Sequence, residues 1–147
     1  MYTDALLQLS SSQAVTATAF STNTIDLLQA RDIGAGEQTH VLVNVEVAAT
    51  AAGAATVNFQ VVTSANANLS SPTIIGQTDA IGKASLTIGS QIAIPVPRSF
   101  INASGQRYLG LQYTVSTGPL TAGTFTAALV LQGVDSRKTY ANGFVVA

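Results

Sequence analysis

Val41-Leu42-Val43-Asn44-Val45-Glu46-Val47 and, shortly after it, Val57-Asn58-Phe59-Gln60-Val61 decide the fold. Apolar residues recur at every second position in both, the period of a strand with one face buried. Residues 49–55, with Gly53 at their centre, supply turn material between them, so the two read as an antiparallel hairpin. The pattern returns near the C-terminus. Leu109, Leu111, Tyr113 and Val115 alternate with polar or small neighbours, as do Phe125, Ala127, Leu129 and Leu131. Residues 116–123 link these two strands with Thr, Gly and Pro, and this pair too reads as a hairpin.

Weaker strands fill the intervals at 6–9, 15–20, 24–27, 73–77, 85–88, 91–96 and 143–146. Pro95 and Pro97 turn the end of the 91–96 strand into an edge or an exit, because proline cannot donate to a ladder. Only 27–32 could form a helical turn, and Ile33-Gly34-Ala35-Gly36 stops it. Short strands separated by Gly, Pro and Asn spell an all-β chain, a two-sheet antiparallel sandwich or barrel. The 147 residues suit one domain, large enough to fold without a metal or disulfide staple. We expect residues 1–13 to be an N-terminal arm or edge strand and 14–147 the sandwich.

Charge is the unusual quantity. Asp, Glu, Lys and Arg make up 9% of the chain, against about 25% in a typical soluble domain. Thirteen charges spread over roughly 7,000 Å² of surface leave one per roughly 540 Å². Ala, Thr, Ser, Gln and Asn cover the rest. Such a surface is either a neutral sheet exterior or one meant to lie against protein, since charge is depleted at interface cores. With a net charge of −1 and no basic block, nucleic acid and anionic membrane are excluded as expected partners. Met1-Tyr2-Thr3-Asp4 has no basic region and precedes no long apolar run, so no signal peptide is expected.

The residues that carry chemistry are sparse. The chain has no cysteine, which removes thiol catalysis, disulfides and Cys-ligated metals. His40 is the single histidine, so sites needing two imidazoles are excluded, and no serine sits in a Gly-x-Ser-x-Gly elbow. Glu37 and His40 alone do not make a metal site. Gly34-Ala35-Gly36 precedes no helix that would cradle a phosphate. No cofactor and no enzymatic activity are expected. A glycosidase pair could hide among the seven carboxylates, but the absence of Trp leaves little platform for a sugar ring. Arg137-Lys138, the only adjacent basic pair, reads as solvated surface. Asp26, Arg31 and Asp32 could form a local ion pair or could meet charges on a partner; both readings stand. Tyr108, Tyr113, Tyr140 and Phe144 are of types enriched at interfaces, but a place in the sheet core is the favoured reading, since aromatics suit strands.

One resemblance covers essentially the full length. It is carried by Ser12-Gln13-Ala14-Val15-Thr16, Ser21-Thr22-Asn23-Thr24-Ile25-Asp26-Leu27 and Ala30-Arg31-Asp32-Ile33-Gly34-Ala35-Gly36-Glu37. Arg107-Tyr108-Leu109, Tyr113-Thr114-Val115, Thr121-Ala122-Gly123 and Tyr140-Ala141-Asn142-Gly143-Phe144 follow in similar order. The chain resembles the tailed-bacteriophage capsid cement, or decoration, proteins, in the jelly-roll family of the Bordetella-type podophages. The resemblance implies a jelly roll on the outer capsid surface of the virion, made in the host cytoplasm. It implies a clamp on neighbouring major capsid protein subunits and a homo-oligomer, a dimer by preference and a trimer as the alternative. We expect Tyr2, Leu6, Leu7 and Leu9 to reach a neighbouring subunit as an arm, because apolar residues would be wasted on a free tail. Asp26, Arg31, Asp32, Tyr140 and Phe144 complete the candidate contacts. A carbohydrate- or receptor-binding module of a tail fibre or spike is the alternative, and a carboxylate-pair sandwich enzyme ranks third.

Overall fold

The computed structural model describes residues 4–27, 38–97 and 106–131. After a 3-10 turn at Ala5–Leu7, the chain forms β1 (Gln8–Ala14), β2 (Ala19–Phe20), β3 (Ile25–Asp26), β4 (Thr39–Thr50) and β5 (Thr56–Ser64). Next come β6 (Thr73–Gln77), β7 (Ile81–Gly82), a 3-10 turn at Lys83–Ser85, β8 (Gln91–Pro95), β9 (Tyr108–Ser116) and β10 (Ala122–Leu131). One sheet has the order β1-β10-β4-β8. The other has the order β2-β9-β5-β6, with β3 also on β9 and β7 also on β5. All pairings between these strands are antiparallel. Counting β2 with β3 and β6 with β7 as single broken strands, the two sheets hold the eight positions in the orders 1-8-3-6 and 2-7-4-5. That wrapping of two Greek keys is a jelly roll.

Neither expected hairpin forms. β4 pairs with β10 and β8, whereas β5 pairs with β9, β6 and β7. The connections at 51–55 and 117–121 therefore cross from one sheet to the other. Alternation reports which face of a strand is buried, not which strand lies beside it. Both strands of each expected hairpin have an inward face, and facing sheets about 10 Å apart satisfy that as well as a shared sheet does. Nine residue pairs then join β4 to β10, and nine join β5 to β9.

The inward faces are those the alternation marks. Val41, Val43 and Val45 meet Val57, Phe59 and Val61 in one core with Leu109, Leu111, Tyr113, Phe125, Ala127 and Leu129. Phe59 sets its ring edge-on to Tyr113 and Phe125, with centroids at 5.8 and 5.4 Å. Tyr113 and Phe125 stack at 5.6 Å. Val47 and Leu131 depart from the pattern, 48% and 40% exposed. Opposite Phe125 and Thr124 stand Val45 and Val47, so Glu46 is an extra residue on β4. This β-bulge turns Val47 outward.

Two further expectations need correction. Residues 85–88 do not form a strand: the 3-10 turn ends at Ser85, and Leu86 alone is buried there. The expected strands at 6–9 and 15–20 also shift: β1 runs on through Ser10-Ser11-Ser12-Gln13, which shows no apolar alternation, and only Ala19–Phe20 of the second forms a strand. β1 is an edge strand whose polar half is held by side-chain hydrogen bonds and carries register shifts against β10, with Ser12 at φ 44°.

Candidate partner-binding surface

The sandwich has two unlike ends. At one, the crossings at 51–55 and 117–121 lie side by side, with Lys83 Nζ donating to the Ala51 carbonyl. At the other, β4 begins, β5 and β10 end, and β9 begins: Thr39 pairs with Leu131, and Ser64 with Tyr108. The charged candidate Asp26 lies at this second end, on β3 opposite Tyr108. Arg107 grips it in a two-point ion pair, Nε donating to Oδ1 at 2.9 Å and Nη2 to Oδ2 at 2.7 Å. Arg107 also lies over the Tyr108 ring, 5.1 Å from its centroid. Sequence spacing hid this pair, whose members are 81 positions apart; only the antiparallel β3–β9 pairing brings them together. Among the described residues, four buried side-chain atoms, Thr39 Oγ1, His40 Nδ1, Thr63 Oγ1 and Gln106 Oε1, have no hydrogen-bond partner, and all four belong to residues at this end. His40 sits within β4 between Pro95 and Val130.

The N-terminal candidates divide. Leu9 is fully buried in the central core, and Leu7 packs partly against it, so these two are occupied by their own chain. This corrects the expectation that Leu9 serves a neighbour. Leu6 is 69% exposed, on the turn that Asp4 caps by accepting from the Leu6 N–H at 2.9 Å. It lines a shallow depression with Ala5, Gln8, Thr22, Asn23 and Thr24. Tyr2, Arg31, Asp32, Tyr140 and Phe144 lie outside the described residues, as do Glu37 and the Arg137-Lys138 pair.

Among the described strands only Asp26 and Glu46 are charged. Glu46 accepts from Ser12 Oγ at 2.6 Å and from Thr126 Oγ1, bonds that hold its carboxyl below the usual carboxylate range. The cluster ties β1, β10 and β4 together. On the same sheet, on the side away from the core, Leu42, Ala128 and Val130 form a second small apolar cluster that is itself buried. The other sheet presents amides and hydroxyls. Thr114 Oγ1 donates to Gln60 Oε1 at 2.8 Å, and Gln60 Nε2 donates to Gln77 Oε1 at 2.8 Å.

A polar chain runs inward between the sheets. The Tyr113 hydroxyl, fully buried, donates to Ser10 Oγ at 2.8 Å, and Ser10 donates to Gln13 Oε1 at 2.7 Å. Gln13 also accepts from the Thr22 N–H and donates to the Phe20 carbonyl. Burial, only partly offset by Ser10, pushes the Tyr113 pKa up to about 12. Tyr113 thus belongs to the sheet core, and Gln13 fastens the edge strand to the second sheet. Sequence reasoning passed over Gln13 as a resemblance motif with no stated role.

Among the described residues no group of three or more His, Cys, Asp or Glu side chains is placed to hold a metal ion. Among the described residues, fold and surface thus define a jelly-roll sandwich with few charges on its strands and one end that carries an ion pair and unpartnered polar groups. The chain belongs to the Bbp16 family, whose model matches residues 9–129. No curated protein matches it.

Proposed function

We propose that this chain is a non-enzymatic structural protein of a phage virion. It binds the outer surface of the capsid, where it clamps neighbouring major capsid protein subunits and stabilises the expanded shell. The observation that carries the reading is the scarcity of charge on the described strands, with Asp26 already matched by Arg107. Laying a surface of this kind on protein costs less desolvation than burying a charged one. Membership of the Bbp16 family supports the same reading, because that name agrees with the resemblance to proteins of Bordetella-type podophages. The protein acts as a homo-oligomer, a dimer in preference to a trimer. Several modest contacts then add through effective concentration. It needs no cofactor, nucleic acid or membrane.

Thermal disruption of expanded shells tests the reading. Shells of the cognate major capsid protein, saturated with this chain, release their contents at a higher temperature than bare shells. Equal disruption temperatures with and without saturating protein would contradict a stabilising role.

A further inference from the structure

The connection between β5 and β6, residues 65–72, lies over the outer face of β9 and holds two non-glycine residues in the left-handed region. Leu69 has φ 58° and Ser71 φ 50°. Each such residue costs on the order of 1–3 kcal/mol, and persists only where its surroundings enforce it. Glycine would remove that cost, yet none of these eight residues is glycine.

The enforcing contacts are on view. Leu69 is 1% exposed and seated on Gly110, where an added Cβ would stand 2.3 Å from Leu69 Cδ1. Ser64 Oγ donates to the Ser70 carbonyl at 2.6 Å, Asn66 Nδ2 to Ser70 Oγ at 2.9 Å, and the Ser70 N–H to Asn68 Oδ1 at 3.1 Å. Outward, this pinned loop presents Asn66, Ala67, Asn68, Ser70 and Ser71, all exposed and uncharged. The sheet it crosses carries the Thr114–Gln60–Gln77 row, also held in place by its own hydrogen bonds. No charged residue occurs in β5, β6 or β9.

We propose that residues 66–71, together with the Gln60–Gln77–Thr114 row, form a preordered contact surface for an uncharged, polar protein surface. The inference rests on the capsid reading, and under it the occupant is the major capsid protein. The uncharged strands disfavour charged occupants. A charged partner would lose its hydration here without gaining a counter-charge. Phosphate-bearing partners need cations that these strands lack. Because loop and row are ordered before binding, little conformational freedom is lost on contact.

A charge scan against expanded shells tests the surface. Ala67→Glu places a carboxylate at the loop tip on a side chain that makes none of the loop's hydrogen bonds. Gln77→Glu is nearly isosteric and keeps an oxygen to accept from Gln60 Nε2. Ala52→Glu and Ala54→Glu, both exposed in the 51–55 connection at the opposite end, serve as controls. Each variant is checked for an unchanged melting temperature and for mass by light scattering. Ala67→Glu and Gln77→Glu are expected to weaken shell binding at least tenfold, and the two controls less than twofold. Undiminished binding by Ala67→Glu and Gln77→Glu, or a larger loss in either control, overturns the assignment while leaving the capsid reading intact. A fall in oligomeric mass caused by Ala67→Glu would make the occupant a second copy and overturn it as well. Failure of the unmodified protein to bind shells removes the capsid reading itself and this surface with it.

Discussion

Tyr113 shows how one residue couples the core to solution conditions. Its phenol is neutral in the fold, and its pKa of about 12 lies above the ordinary value of 10. The unfolded chain therefore releases this proton first as the pH rises. The resulting stabilisation is complete below pH 10 and disappears as the pH climbs towards 12. About two pH units correspond to roughly 2–3 kcal/mol. Denaturant titrations at pH 9 and pH 11.5 should show that loss, and Tyr113→Phe should flatten it. An equal alkaline loss in the Phe variant would place the titrating group elsewhere. Gly110 makes a second residue-scale case. Gly110→Ala drives a methyl into Leu69 and should cost about 1–3 kcal/mol, as overpacking generally does. Combining it with Leu69→Ala should cost less than the sum of the two single changes. Strict additivity would mean that the two side chains do not meet.

The elements carry the division between β1 and the segment before it. Leu9 is fully buried whereas Leu6 is largely exposed. Leu9→Ala should destabilise by about 2–5 kcal/mol, and Leu6→Ala by less than about 0.5 kcal/mol. Chemical denaturation of both variants would show it, and similar losses would contradict the assignment of β1 to the core. Deleting residues 2–9 consequently removes a core side chain as well as the exposed turn, and cannot by itself isolate a contact made by the turn. At this scale the sequence was legible in one respect and opaque in another. The alternation of Val41, Val43 and Val45, and of Val57, Phe59 and Val61, marks the buried faces correctly. It says nothing of neighbours, which is why two sheet-to-sheet crossings read as hairpins. The bulge at Glu46 left no mark either, since a β-bulge answers to the partner strand. Asp26 stood out by its charge, but Arg107 could be joined to it only once β3 was laid on β9.

For the molecule as a whole, the sparse charge makes a prediction about salt. Among the described strands only Asp26 and Glu46 are charged, and both are engaged within the chain. Binding through these faces should therefore persist at 1 M salt, where the Debye length is about 3 Å. Release of the protein from shells under those conditions would assign the contact to charged groups. The central claim, that the chain is a capsid clamp, is tested most directly by co-sedimentation of the purified protein with expanded empty shells of its cognate major capsid protein, counted as copies per capsid subunit. The account predicts saturation at a fixed ratio compatible with the symmetry of the shell. Sedimentation of shells with no bound protein, or binding that rises without saturating, would contradict it.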